Sequence, residues 1–218
     1  MTDRMIAMSG RSLEILRGVF TIEDPWHDPT GAGRFELTDA TSGVGPRLTT
    51  VGFSYYDDSN LYVVYHGLDE VESVATYTRH DDPVYEEDAY EIFLSPSSLT
   101  DYFELEVSLL GTTFDARIHS PDGVRATMIA DVSWDCPGFW TALRKGTGAE
   151  GSWVEVVMVV PFSSLDRDTP KPGETWRGNL FRVDRSPTFG DSYSAWCPTL
   201  RTPADFHLPA AFGEFHFR

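Results

Sequence analysis

From Tyr102 to Leu109 the chain alternates without a break. Phe103, Leu105, Val107 and Leu109 take one parity, and Tyr102, Glu104, Glu106 and Ser108 take the other. A period of two sends successive side chains to opposite faces of a β-strand, whereas a helix would scatter this run around its circumference. One face must therefore enter a core and the other must be polar and acidic. A chain carrying this stretch needs a sheet to receive it.

Similar runs recur, each bounded by Gly, Pro, Asp or Ser. They are Leu61 to His66 after the turn Asp57-Asp58-Ser59-Asn60, Tyr90 to Leu94, Phe114 to His119, and Trp153 to Val160 before Pro161. Trp176 to Asp184 follows the turn Lys171-Pro172-Gly173-Glu174, and Gly213 to Arg218 reads as a closing strand. From about Gly52 onwards no segment sustains a 3.6-residue apolar period. Helices are expected to be minor: a turn or two over Ser12 to Arg17, at most one turn over Ser163 to Leu165, with Asp69 to Thr76 ambiguous. With 218 residues and no internal repeat or low-complexity linker, the expectation is a single all-β domain over 1–218, an antiparallel β-sandwich.

The charge balance excludes some partners. Against 17 basic residues stand 34 acidic ones, a formal charge of −17 that repels phosphate backbones and anionic lipid surfaces. Neither nucleic acid nor a membrane is an expected partner. No stretch approaches the roughly 20 apolar residues that span a bilayer, and the start, MTDRMIAMSGRSLEILRG, lacks the apolar run of a secretory signal. The chain as given reads as cytoplasmic, or as secreted if its N-terminus has been trimmed. Cys136 and Cys197 have neither CxxC nor CxxCH spacing, so no zinc or covalent haem site is encoded locally, and their pairing is left open.

Three segments occur in a telling order: Arg79-His80-Asp81-Asp82-Pro83-Val84-Tyr85-Glu86-Glu87-Asp88-Ala89-Tyr90-Glu91-Ile92-Phe93-Leu94, then Trp176-Arg177-Gly178-Asn179-Leu180-Phe181-Arg182-Val183-Asp184-Arg185, then Tyr193-Ser194-Ala195-Trp196-Cys197-Pro198-Thr199. Together with the acidic strand Tyr102 to Val107 and the tail Asp205-Phe206-His207, they resemble carbohydrate-binding module family nine over roughly Gly52 to Arg218. The resemblance implies a DOMON-like sandwich of two sheets, immunoglobulin-like or jelly-roll-like, and a non-catalytic saccharide site. In that family two aromatic rings clamp the end of a sugar. The first clamp position falls on Tyr85, where the family more usually has Trp, and the second on Trp196; Glu91 matches a carboxylate that accepts sugar hydroxyls. Glu106, Asn179 and Arg182 would help to order the hydroxyls, while the strand carrying Glu104 and Glu106 lacks the Arg that sugar-binding members can place there. Relatives can hold structural calcium, for which Asp57-Asp58-Ser59-Asn60 offers hard oxygen atoms but no DxDxDG loop.

The residue types suit the task, because a pyranose has apolar C–H faces and a rim of hydroxyls that need flat rings and planar hydrogen-bonding groups. Each residue also has a plainer reading. Trp196 can be a sandwich-core Trp, Tyr85 a loop tyrosine, Glu91 a solvated acid, and Arg182 or Arg79 a structural partner for carboxylates. Three other functions remain open. Glu91, Glu104 and Glu106 could supply a glycosidase pair. Met158, Met128, His66 and His119 are the residue types that bind haem in relatives. A third course is an interaction domain whose sugar site has decayed.

Overall fold

Among the described residues, fourteen strands hydrogen-bond into one continuous ribbon that folds into two packed sheets. The structure is a computed structural model, and it describes residues 10–29, 31–70 and 73–218. The strands are β1 (Ser12–Arg17), β2 (Gly33–Glu36), β3 (Thr38–Asp39), β4 (Thr50–Tyr56), β5 (Asn60–Asp69), β6 (Ala89–Ser98) and β7 (Asp101–Ser108). They continue as β8 (Thr113–His119), β9 (Ile129–Asp131), β10 (Trp140–Gly148), β11 (Gly151–Pro161), β12 (Thr175–Asp184), β13 (Ser192–Ala195) and β14 (Gly213–Phe217). Among the described residues the helical elements are short 3-10 turns, Val84–Glu86, Arg125–Thr127, Phe162–Leu165 and Pro209–Ala211. The expected all-β sandwich is what the chain forms.

One sheet runs β10-β11-β5-β4 with β2 beside β4, and the other runs β14-β12-β6-β7-β8-β9 with β13 beside β12. β1 belongs to both: Ser12 to Ile15 lie parallel to β14, and Leu16 and Arg17 lie parallel to β4. This corrects the expected helix over Ser12 to Arg17. Leu13 and Ile15 are buried while Ser12 and Glu14 are exposed, the alternation of a strand, and the backbone groups pair with two sheets. Ser163 to Leu165 does form a single 3-10 turn. Asp69 ends β5, residues 73–76 are irregular, and the middle of the ambiguous stretch lies outside the described residues, as do residues 1–9 of the start searched for a secretory signal. No described helix is long and apolar enough to cross a membrane.

The main core lies between the sheets, where Tyr65, Val154, Val156 and Met158 meet Tyr90, Ile92, Leu105, Leu180 and Phe215. The outer faces are covered as well. Phe20 stacks on Tyr62 on one side, and on the other Phe206 stacks on Phe181 at 4.1 Å between ring centroids. Both faces of β12 are consequently buried from Gly178 to Asp184. Cys136 and Cys197 are both buried free thiols.

Ladder pairing and hydrogen bonds then show where Arg182, Asn179 and Trp196 go. Arg182 pairs with Tyr90 in the β6–β12 ladder and so points inward. Its guanidinium lies over the Tyr90 ring and donates to Leu68 O at 2.6 Å, Thr50 Oγ1 at 3.1 Å and Asp69 Oδ1 at 3.0 Å, with Asp184 Oδ1 at 3.4 Å. It ties the two sheets together at one end of the sandwich. Gly67 has no side chain because a Cβ there would stand 2.6 Å from this guanidinium and 2.5 Å from the Tyr90 hydroxyl. Asn179 is spent on the backbone: it accepts from Cys197 N and donates to Cys197 O. Trp196 packs into the core against Phe215, with its indole in the space that a Cβ on Gly213 would occupy, 2.4 Å away. Arg182, Asn179 and Trp196, expected to touch a sugar, are thus only 2%, 0% and 3% exposed and are engaged by groups within the sandwich.

Removing Arg182 would strand Asp69 and Asp184 in the interior with one cation fewer. Arg182→Ala is expected to cost about 3 to 5 kcal/mol in urea denaturation, the range for breaking a buried ion pair. A loss below about 1 kcal/mol would show that the guanidinium does not hold the sheets together.

Candidate functional site

β6 and β7 pair so that Glu91 faces Glu106 and Phe93 faces Glu104. Their alternate neighbours, Tyr90, Ile92, Leu94, Phe103, Leu105 and Val107, fill the core, so the glutamates must emerge on the outer face. One carboxylate oxygen from each of Glu91, Glu104 and Glu106 lies within 4.8 Å of the other two. The three residues are only 2%, 6% and 0% exposed. Among the described residues, neither oxygen of Glu106 meets a hydrogen-bond donor from outside the carboxyl cluster.

Such a cluster resists ionisation. Burial, then the field of Glu104, holds Glu91 well above the ordinary carboxylate range. Burial pushes Glu104 up to about 7, with neighbouring Glu106 and the Arg125 guanidinium working the other way. Burial, then Glu91 and Glu104, raises Glu106 well above its usual value. His207 lies beside them, its Nδ1 2.9 Å from the Tyr102 hydroxyl and its Nε2 3.5 Å from Glu104 Oε1. Burial, reinforced by Arg125, lowers His207 to about 4, so the ring is neutral near pH 7, and a Tyr102 O–H donating to Nδ1 leaves Nε2–H facing Glu104.

The glutamates form the floor of a cleft of about 820 Å³. One wall carries Tyr85, 43% exposed, whose ring meets Phe114 edge-on at 5.4 Å. Another carries Tyr193, which shares the outer face because it pairs with Val183 in the β12–β13 ladder. Arg185 links the two: its guanidinium lies over the Tyr193 ring, one nitrogen donates to the Tyr193 hydroxyl, and another donates to Tyr85 O at 3.0 Å. The segment from Arg201 to Leu208 closes a third side, with Arg125 donating to Asp205 at 2.9 Å.

Of the residues singled out in the sequence, Tyr85, Glu91 and Glu106 meet at this cleft. Trp196, Asn179 and Arg182 do not line it. The sequence reading passed over Tyr193, Arg185, Arg125 and His207. A signal for Tyr193 was present, since it stands three residues before Trp196 and so on the opposite parity from a Trp that the core takes.

Two other polar groupings bear on metals. In the turn offered for calcium, Asp57 Oδ1 accepts from Ser59 N and Asn60 N, and Oδ2 accepts from the Tyr62 hydroxyl, while Asp58 pairs with Arg17. The turn is an Asx turn whose carboxylates are held by the chain's own donors. Elsewhere, exposed His80, Asp81 and Asp135 gather with buried Asp115, ligand atoms again within 4.8 Å of one another.

An all-β sandwich holding an aromatic-walled, carboxylate-floored cleft on one outer face defines a class, the domains that bind small polar ligands on a sheet. The chain belongs to carbohydrate-binding family 9, whose family model matches residues 47–217. No curated protein matches it in sequence. Among solved structures, a candidate carbohydrate-binding protein of Bacteroides uniformis ATCC 8492 superposes with a TM-score of 0.73 at 20% identity, covering 96% of this chain and 100% of the other. A family 9 module of Caldicellulosiruptor kristjanssonii in complex with cellotriose gives a TM-score of 0.61 at 15% identity, covering 95% of this chain and 94% of the other. The glucose complex of a family 9 module from that organism gives 0.58 at 15% identity, with 95% and 96% covered.

Carboxylates raised by folding stabilise the protein fully below their unfolded values and lose that contribution as pH rises through the folded value. In metal-free buffer the melting temperature of the wild type should therefore fall between about pH 5 and pH 8. Glu104→Gln should flatten this fall, raising stability at pH 8 with little effect at pH 5. An unchanged pH profile in the variant would show that Glu104 is not the strained group.

Proposed function

We propose that the cleft binds one end of a neutral saccharide between Tyr85 and Tyr193 and breaks no bond. The observation that carries this reading is the placement of two tyrosine rings on walls that share a floor of acceptors and a rim of donors. The rings offer flat surfaces to the C–H faces of a pyranose, Glu91 and Glu104 accept from hydroxyls, and Arg185 and Arg125 donate to them. Family membership supports the reading, as do relatives of the same fold that hold cellotriose and glucose.

Hydrolysis fits the geometry poorly. A glycosidase sets an acid and an ionised partner on either side of the scissile bond. Here the three carboxylates rise side by side from one floor, and burial disfavours the charge on each. Haem ligation fits no better, because the available residues are dispersed. Met158 is in the inter-sheet core, Met128 touches the Tyr102 hydroxyl, His66 pairs with Glu155 and His119 with Asp101.

Calorimetric titration with glucose and cello-oligosaccharides tests the proposal. Tyr193→Ala and Tyr85→Ala should each weaken binding about tenfold, the equivalent of about 1.4 kcal/mol of lost stacking. Trp196→Phe should bind as the wild type does and lose thermal stability instead. Loss of binding in a folded Trp196→Phe protein, with Tyr193→Ala unaffected, would move the sugar to the other face of β13.

A further inference from the structure

We propose that His80, Asp81, Asp115 and Asp135 bind a transition-metal ion of the Zn²⁺ type at a site separate from the cleft. The four residues come from three segments: the turn before Val84–Glu86, strand β8, and the loop between β9 and β10. One ligand atom from each lies within 4.8 Å of the other three, and none of the four residues lines the cleft.

The His80 ring is set for an ion. Its Nδ1 stands 3.1 Å from Thr113 O, and a carbonyl only accepts, so Nδ1 carries the proton and donates. The Nε2 lone pair of the neutral ring then faces Asp135 Oδ1 at 3.3 Å, Asp81 Oδ1 at 3.4 Å and Asp115 Oδ2 at 3.8 Å. Metal-binding histidines are oriented in this way, the other ring nitrogen donating to a backbone carbonyl or a carboxylate. A second proton on Nε2 does not account for the spacing, because charge-assisted N–H···O bonds run at about 2.7 to 2.9 Å. Ligands about 2.0 to 2.2 Å from a tetrahedral ion stand about 3.3 to 3.6 Å apart. Two of the three distances lie in that range and the third just beyond it.

Asp115 is the second, independent observation. It pairs with core-facing Leu105 in the β7–β8 ladder, and its side chain is only 2% exposed. Oδ1 accepts from Cys136 N at 3.0 Å, while Oδ2 is aimed at His80 from beyond hydrogen-bond reach. Burying a carboxylate is costly unless a cation meets it. The arginines of the same segments are engaged elsewhere, Arg79 by Asp82 and Arg117 by Asp166.

Donor type selects the ion. Ca²⁺ and Mg²⁺ take oxygen ligands, whereas imidazole suits zinc and its neighbours, and Zn²⁺ accepts histidine nitrogen and aspartate oxygen together in four-coordinate sites. Bound there, the ion would tie the turn to β8. Asp81 stands four residues before Tyr85, and Tyr85 packs on Phe114, the residue before Asp115, so the same clamp would brace one wall of the cleft.

The ion can be measured with no sugar present. Chelator-stripped full-length protein would be dialysed against Zn²⁺ and titrated in parallel with Co²⁺ as a spectroscopic stand-in. One equivalent of Zn²⁺ should be retained, Co²⁺ should develop the intense visible bands of a tetrahedral site, and millimolar Ca²⁺ should displace neither. His80→Ala and Asp135→Asn, both at exposed positions and so expected to fold, should each weaken Zn²⁺ binding at least about tenfold and abolish the Co²⁺ bands. No uptake at micromolar Zn²⁺, displacement by Ca²⁺, or equal uptake in folded His80→Ala protein would overturn the proposal.

Discussion

Glu91 and Glu106 stand opposite each other across the β6–β7 ladder, and everything notable about the cleft depends on their being unable to move apart. Their inward neighbours Tyr90, Ile92, Leu105 and Val107 are wholly buried between the sheets. A slip of one residue would drive the carboxylates into the core and those four side chains out of it. The core thus pins three buried carboxyls side by side, an arrangement that no local preference would choose. Strain of this kind marks a site more sharply than exposure does, because sheet packing must offset its cost.

The same logic extends to the cleft's walls. The acidic run that carries Tyr85 is largely a set of backbone clamps. Asp88 accepts from Val74 N at 2.7 Å and from Arg185 N at 2.6 Å, and Glu87 accepts from Thr76 N at 2.6 Å. Burial pushes Asp88 up to about 6, yet these N–H donors partly offset the effect. Tyr85 therefore projects from a turn whose ends are tied to two other segments. On the opposite side, Phe206 and Phe212 cover the sheet, and the cleft begins where that cover stops.

Much of this was legible in the sequence. The alternation in Tyr102 to Leu109 marked a strand, its inward face and its acidic outward face, and the resemblance led to the family and to Tyr85, Glu91 and Glu106. What escaped was the consequence of covering both outer faces. β12 and β13 carry apolar residues on both parities, so hydrophobicity alone does not separate the side of Trp196 and Arg182 from the side of Tyr193 and Phe181. Tertiary register decides it, through pairings that no local window contains. The strand over Ser12 to Arg17 was hidden for a different reason: six residues with two buried apolar positions match a helical turn as well as an extended segment.

β1 leaves a further mark on the molecule. The ribbon of strands ends at β10 and β9, the latter only three residues long, while the former carries Arg144 and Lys145 where bare backbone faces outward. Those are guarded margins, since charge and brevity discourage another chain from adding itself there. β14 has no such guard, because β1 lies against it, and β1 also takes up the end of the β4 edge that β2 leaves open. Peeling that one short strand away would uncover backbone on both sheets at once, along Glu214 to Phe217 of β14 and at Tyr55 and Tyr56 of β4.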